Sequence, residues 1–200
     1  MLSKLLNAPA IFDLQQKVCN NYENVKLEFA DYVDAEKLHI LDVGCSTGVC
    51  GQAIFDTARN EYTGIDITPK YIEYANRVNS HGRYLVMDGR QLDFPDDSFD
   101  LVSFIGVLHH MEDAIAKACL EEVHRVIKPS GYLLIAEPVF TANALASNML
   151  LSLDRGKFIR ESAEYINLAP QFEVVRKRYF NLSLHRFVSL IATPKKAVQA

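Results

Sequence analysis

Cysteine is sparse. The 200 residues hold four, Cys19, Cys45, Cys50 and Cys119, with no C-x-x-C pair among them. Neither a disulfide framework nor the ligand spacing of a zinc site is present, so no metal is expected. The expectation is buried, reduced thiols in a cytoplasmic protein. Basic excess is lacking as well: a formal charge of −4 argues against nonspecific nucleic-acid binding, which draws on clustered Lys and Arg. Long apolar runs are missing. "MLSKLLNAPAIFDLQQ" offers no signal-peptide pattern, and "TANALASNMLLSL" is too short and mixed to span a bilayer, so no membrane partner is expected. There is no repeat and no low-complexity segment. What remains is a composition of 49% apolar and 23% charged residues, at a length that suits one domain.

Strand and helix patterns alternate through the middle of the chain, which predicts a parallel sheet covered on both faces. Strands are expected at 39–44, 61–67, 82–88, 99–108 and 131–138, and helices at 51–59, 70–78 and 113–127. In the last of these, Ile115, Cys119, Val123 and Val126 or Ile127 fall at helical spacing, and Pro129 with Gly131 ends it. Thr68 and Pro69 read as the cap and first residue of the second helix. A helix near 162–169 precedes two closing strands, 172–180 and 187–194, whose short connector implies an antiparallel hairpin. Residues 1–37 read as one or two helices outside the alternating unit.

Ligands of open parallel sheets bind beyond the carboxyl ends of the strands. There the chain places the turn "LDVGCSTG" (41–48), then Asp66, then Asp88, then Glu137. The turn lacks one glycine of G-x-G-x-x-G: Ser46 stands where the second glycine lets backbone approach a pyrophosphate, which disfavours a dinucleotide. Asp66 suits two ribose hydroxyls, or is a solvated strand-end acid. Asp88, followed by Gly89, offers an acceptor for an adenine amino group, or is a turn aspartate.

At this point the chain resembles the class I S-adenosylmethionine-dependent methyltransferases, in particular the small-molecule group called type 11. "LDVGCSTG", "YTGIDI", "YLVMDGRQLDFPDDSFDLVSFIGVLHHM" and "EEVHRVIKPSGYLLIAEP" carry the likeness, in the family's order, over residues 39–138. The resemblance implies an α/β, Rossmann-like three-layer sandwich with a seven-stranded, mostly parallel sheet and a C-terminal antiparallel hairpin. It implies S-adenosylmethionine as cofactor and methyl transfer to a small molecule by in-line displacement. Asp42, Gly44 and Gly48 match the family's first motif, which places Cys45 and Ser46 of the same turn at the cofactor as well; Asp66 matches its ribose acid, with Ile67 beside the adenine. Asp88 and Gly89 match the adenine-amino segment, and Phe104 and Ile105 begin the segment under the sulfonium. The family commonly has glycine at the place of Ser46.

Where the acceptor must lose a proton, His109 and His110 are the candidate bases, since histidine titrates near neutral pH. A structural role for the pair stays open beside this. Glu137 is a candidate substrate contact or a cap of the next loop. Substrate recognition is expected in an N-terminal helical lid (1–37) and an insert (139–170), around the cofactor core (38–138) and before the closing strands (171–200). Arg155, with Lys157 and Arg160, suits an anionic substrate or a solvated basic turn. Phe12, Tyr22 and Tyr165 suit an apolar lid or core packing. No N/D-P-P-Y/F sequence follows the fourth strand, which disfavours a nucleic-acid methyltransferase. A cofactor-binding subunit without catalysis has the same signature, and the oligomeric state is not legible.

Overall fold

A computed structural model describes residues 9–10, 22–33, 37–140, 157–182 and 185–195. Its order is α1 (Tyr22–Val33), β1 (His39–Val43), α2 (Val49–Ile54), β2 (Glu61–Asp66), α3 (Pro69–Val78), β3 (Arg83–Val86), β4 (Phe99–Ile105), a 3-10 turn (Leu108–His110), α4 (Asp113–Val126), β5 (Ile127–Pro138), α5 (Ser162–Leu168), β6 (Phe172–Leu182) and β7 (His185–Pro194). The seven strands form one sheet in the order β3-β2-β1-β4-β5-β7-β6. The first five run parallel, while β7 lies antiparallel to both β5 and β6. This is the Rossmann-like α/β sheet expected, with its antiparallel hairpin.

Strand alternation divides the core into two layers. Leu41, Val43, Val102 and Leu133 face α4 and α5, whereas Ile40, Leu101, Leu134 and Ile191 face α1, α2 and α3. Segment 1–37, expected to lie outside the alternating unit as a lid, contains α1, and that helix is part of the second layer. Its Val25, Phe29 and Val33 are buried there at helical spacing. Apart from residues 9–10 and 37, the remainder of that segment, Phe12 included, lies outside the described residues.

Several boundaries differ from expectation for local reasons. The helix expected at 51–59 begins at Val49 and stops at Ile54. Asp56 then captures the backbone N–H groups of Ala58 and Arg59 and pairs with the Arg59 guanidinium, so its side chain replaces the next helical bonds by a turn. Strand β4 ends at Ile105, short of 108, because Gly106 turns the chain at φ +67 and a 3-10 turn follows. Along α4 the buried stripe is Ala116, Cys119, Leu120, Val123 and Val126; Ile115 points outward, and Ile127 already belongs to β5. The hairpin strands extend to Leu182 and His185, so the connector is shorter than expected. No helix among the described residues is long and apolar enough to cross a membrane.

Candidate functional site

The carboxyl ends of β1, β2, β3 and β4 converge on the turn after β1. Gly44 and Gly48 take the left-handed φ values +78 and +79, and Ser46 joins them at +51. A Cβ on Gly44 would lie 2.6 Å from Cγ1 of Val107, in the loop after β4, and one on Gly48 would lie 2.5 Å from the Tyr84 ring. Both glycines are therefore required by φ and by close approach. The backbone N–H groups of Gly44 and Cys45 both donate to the Ile65 carbonyl, at 2.8 and 2.9 Å. These bonds lash the turn to the end of β2.

Asp66 completes that connection. Its Oδ2 accepts the Ser46 N–H at 3.1 Å, and its Oδ1 accepts the Thr68 N–H at 2.8 Å. Thr68 caps α3 by position, with Pro69 next, but its hydroxyl makes no capping bond; the Asp66 carboxylate holds this corner instead. Each Asp66 oxygen accepts one N–H and keeps a further lone pair. Beside it Ile67 is 68% exposed, an apolar side chain standing free at a strand end. The Ser46 hydroxyl does not cap α2, whose cap is Gly48, and its Oγ is buried with no hydrogen-bond partner among the described residues.

Asp42 behaves differently from its neighbours in the motif. It is 3% exposed and faces the layer of α1, α2 and α3, where Tyr62 Oη donates to Oδ2 and Ser103 Oγ to Oδ1, each at 2.7 Å. Burial pushes its carboxyl up to about 6, against the two hydroxyl bonds that favour the charged form. Cys45 is buried beside it, and desolvation raises its thiol far out of the reactive range. Both are anchors behind the turn. Phe104 also points away, into the α4 layer, so only its backbone and the half-buried Ile105 lie along the strand end.

At the end of β3, Asp88 is clamped by Arg90: Nε donates to Oδ1 at 3.0 Å and Nη2 to Oδ2 at 2.6 Å. These bonds hold the Asp88 carboxyl below the usual carboxylate range. Gly89 backs against Val43 and Cys119, with 3.2 and 3.1 Å left for a Cβ.

The histidine turn sits opposite. His109 is buried, and its Nδ1 lies 2.7 Å from Glu137 Oε2. Glu137 is 0% exposed, and its Oε1 also accepts the N–H groups of Val107 and Leu108, at 2.8 and 2.7 Å. A carboxylate collecting those amides accepts from Nδ1 too, which assigns the Nδ1–H form to His109. Glu137 thus caps the turn from below, with all of its surface buried. His110 is exposed, its ring 4.0 Å from that of His109.

Tyr165, another expected substrate contact, is fully buried, and its hydroxyl donates to the Pro138 carbonyl at 3.1 Å. Tyr22 is half-buried against the α1 layer. Of the basic cluster, Arg155 lies outside the described residues, Lys157 is exposed, and Arg160 is buried in an ion pair with Asp113. A cleft of about 430 Å³ opens between α4 and α5, lined by Lys117, Phe158, Asn167 and Leu168 among others, on the side of the sheet that carries α4. Among the described residues no three His, Cys, Asp or Glu side chains gather as a metal site.

Sequence reasoning missed Tyr62, Ser103, Arg90 and Val107. Arg90 alone had a local signal, a guanidinium two residues after an acid. Tyr62 and Ser103 lie 20 and 61 residues from Asp42, and only the sheet brings them together.

Comparison with known proteins bears directly on this geometry. Residues 41–135 match the family described as Methyltransferase domain. The 2-methyl-6-phytyl-1,4-hydroquinone methyltransferase of Synechocystis is 34% identical over 101 residues, covering 49% of this chain and 31% of that protein. The 27-O-demethylrifamycin SV methyltransferase of Amycolatopsis mediterranei is 33% identical over 106 residues, covering 49% of this chain and 38% of that protein. The match thus spans well under half the length of these curated relatives. Among solved structures, a Haloferax volcanii putative methyltransferase in complex with the activator Trm112 superposes with a TM-score of 0.77 at 18% identity, over 98% of each chain. The magnesium protoporphyrin IX methyltransferase of Synechocystis with bound SAH gives 0.69 at 16% identity, over 94% of this chain and 86% of that one. These two share the fold.

Proposed function

Residues 41–135 being a class I methyltransferase domain of type 11, we propose that this chain binds S-adenosylmethionine and transfers its methyl group to a small-molecule acceptor. The observation that carries the reading is the Asp66 carboxylate, held by the Ser46 and Thr68 amides beside a turn with three left-handed residues. The fit is good on this chain's own terms. Asp66 has lone pairs for two ribose hydroxyls, and Ile67 offers an exposed apolar face to a base. The unpartnered Ser46 hydroxyl supports a polar ligand atom at the turn.

When bound, the cofactor would supply an electrophilic methyl on a sulfonium. The chain's contribution is to orient both partners, which accounts for much of the acceleration in such reactions. His110, exposed on the histidine turn, takes the acceptor's proton where one must leave; His109 supports it, its Nδ1–H directed to Glu137. The relatives named for a hydroquinone and a rifamycin support a small acceptor. Acceptor contacts come from segments 1–37 and 139–170, and the unpaired thiols of Cys45, Cys50 and Cys119 support a cytoplasmic setting.

Calorimetric titration with S-adenosylmethionine, S-adenosylhomocysteine and NAD in parallel tests the reading. Binding of the first two and not the third is expected; preference for NAD would overturn it.

A further inference from the structure

The Arg160 guanidinium spends all five of its N–H donors. Nη1 donates to the carbonyls of Leu108 and Phe158, at 2.9 and 3.0 Å, and Nη2 donates to the Met111 carbonyl at 2.7 Å. Nε and Nη2 both reach Asp113 Oδ1, at 3.0 and 2.7 Å. The same segment adds one more bond, from the Phe158 N–H to the His109 carbonyl at 2.9 Å. Leu108, His109 and Met111 are the carbonyl side of the histidine turn. Its amide side is taken by Glu137, through the N–H groups of Val107 and Leu108 and the imidazole of His109.

The turn is therefore held between two buried charges of opposite sign that do not touch each other. A carboxylate collects its N–H groups, and a guanidinium collects its C=O groups. The peptide dipoles of residues 107–111 line up between the two, and the imidazole of His109 is fixed on the carboxylate's side. We propose that Arg160 is a positioning residue of the reaction, setting the orientation of His109 and, through the ring contact between them, tilted by 39° at 4.0 Å, of His110. This rests on the assignment of the histidine turn to the methyl-transfer site. It gives the segment after residue 156 a role in the histidine turn that the basic character of "LDRGKFIRESAEY" does not suggest. Lysine is no substitute, having one point charge in place of a planar fork.

Arg125 supplies a matched control. It too uses five donors, on Glu122, Asp96 and the carbonyls of Phe94 and Leu92, but it meets no residue of the histidine turn. The experiment is nitrogen-15 NMR of the His109 ring N–H, on histidine-labelled wild type and the variants Arg160→Met, Arg160→Lys and Arg125→Met. In Arg160→Met the Nδ1–H exchange with water is expected to rise at least about tenfold, to loss of the signal, because the turn opens locally. Arg160→Lys falls between Arg160→Met and wild type, and Arg125→Met stays within about twofold of wild type despite a comparable loss of hydrogen bonds. A wild-type exchange rate in Arg160→Met overturns the proposal, as does an equal rise in Arg125→Met. Should Arg160→Met fail to fold, an unchanged rate in Arg160→Lys overturns it. Calorimetry with S-adenosylhomocysteine on wild type separates the two readings: absence of binding there refutes the site assignment and leaves the NMR result on Arg160 standing.

Discussion

The Ser46 amide donates to the Asp66 carboxylate across 3.1 Å, joining the turn after β1 to the tip of β2. One acid thus shapes the loop and presents its spare lone pairs beside it. Replacing it removes both contributions. Asp66→Ala is expected to weaken S-adenosylhomocysteine binding at least about tenfold by calorimetry, as for one lost charge-assisted hydrogen bond. Unchanged affinity would mean that the ribose seat lies elsewhere.

Ser46 itself is strained. An L-residue at φ +51 carries a cost that glycine avoids, and its buried hydroxyl lacks a partner in the described fold. Ser46→Gly is expected to raise stability by about 1 kcal/mol in the free protein, against the entropy glycine adds to the unfolded chain. Chemical denaturation reads this directly, and a lower midpoint would count against strain at this position.

Glu137 carries charge with no exposure, so its worth lies in its four partners: three turn amides and one imidazole. Glu137→Gln keeps the shape but turns an amide donor toward N–H groups. Destabilisation of about 3 kcal/mol is expected, the range for breaking a buried charged network. A loss below about 1 kcal/mol in urea unfolding would show that the turn holds itself.

Asp42 gives a pH signature. Its carboxyl stands at about 6 in the fold against an ordinary 3.8, chiefly through burial. The folded state therefore binds its proton more tightly than the unfolded chain, and stability from this group falls as pH rises between those two values. At about 1.4 kcal/mol per unit the full effect is about 3 kcal/mol. Asp42→Asn titrates nowhere in this window, so its stability relative to wild type is expected to rise from pH 4 to pH 7 by an amount of that order. A difference independent of pH would contradict a buried, weakened acid.

The alternation of strands and helices was legible because each element announces itself locally: a β-rich run, a glycine or acid at its tip, a proline after it. Gly44, Asp66 and Asp88 sit at strand ends for that reason, and the structure places them there. The early end of α2 was written in the chain too, as an aspartate followed by small and basic residues, a turn signature that helical spacing obscured. Other features were beyond sequence reading. Tyr165 and Glu137 look like pocket residues by type, yet packing hides both. Arg160 reads as one of three surface cations, and its partners at Leu108, Met111 and Asp113 are 47 to 52 residues away. Such contacts are fixed by how a late segment folds back over the sheet, which no local pattern encodes.

The bonds that Asp42 makes to Tyr62 on β2 and Ser103 on β4 reach both strands flanking β1. During assembly this makes one carboxylate a gauge of alignment for three strands. A slip of either neighbour by one residue would turn its hydroxyl to the opposite face and leave a charged oxygen dry and unmet. Misaligned sheets are thereby penalised at the strand that carries the glycine turn.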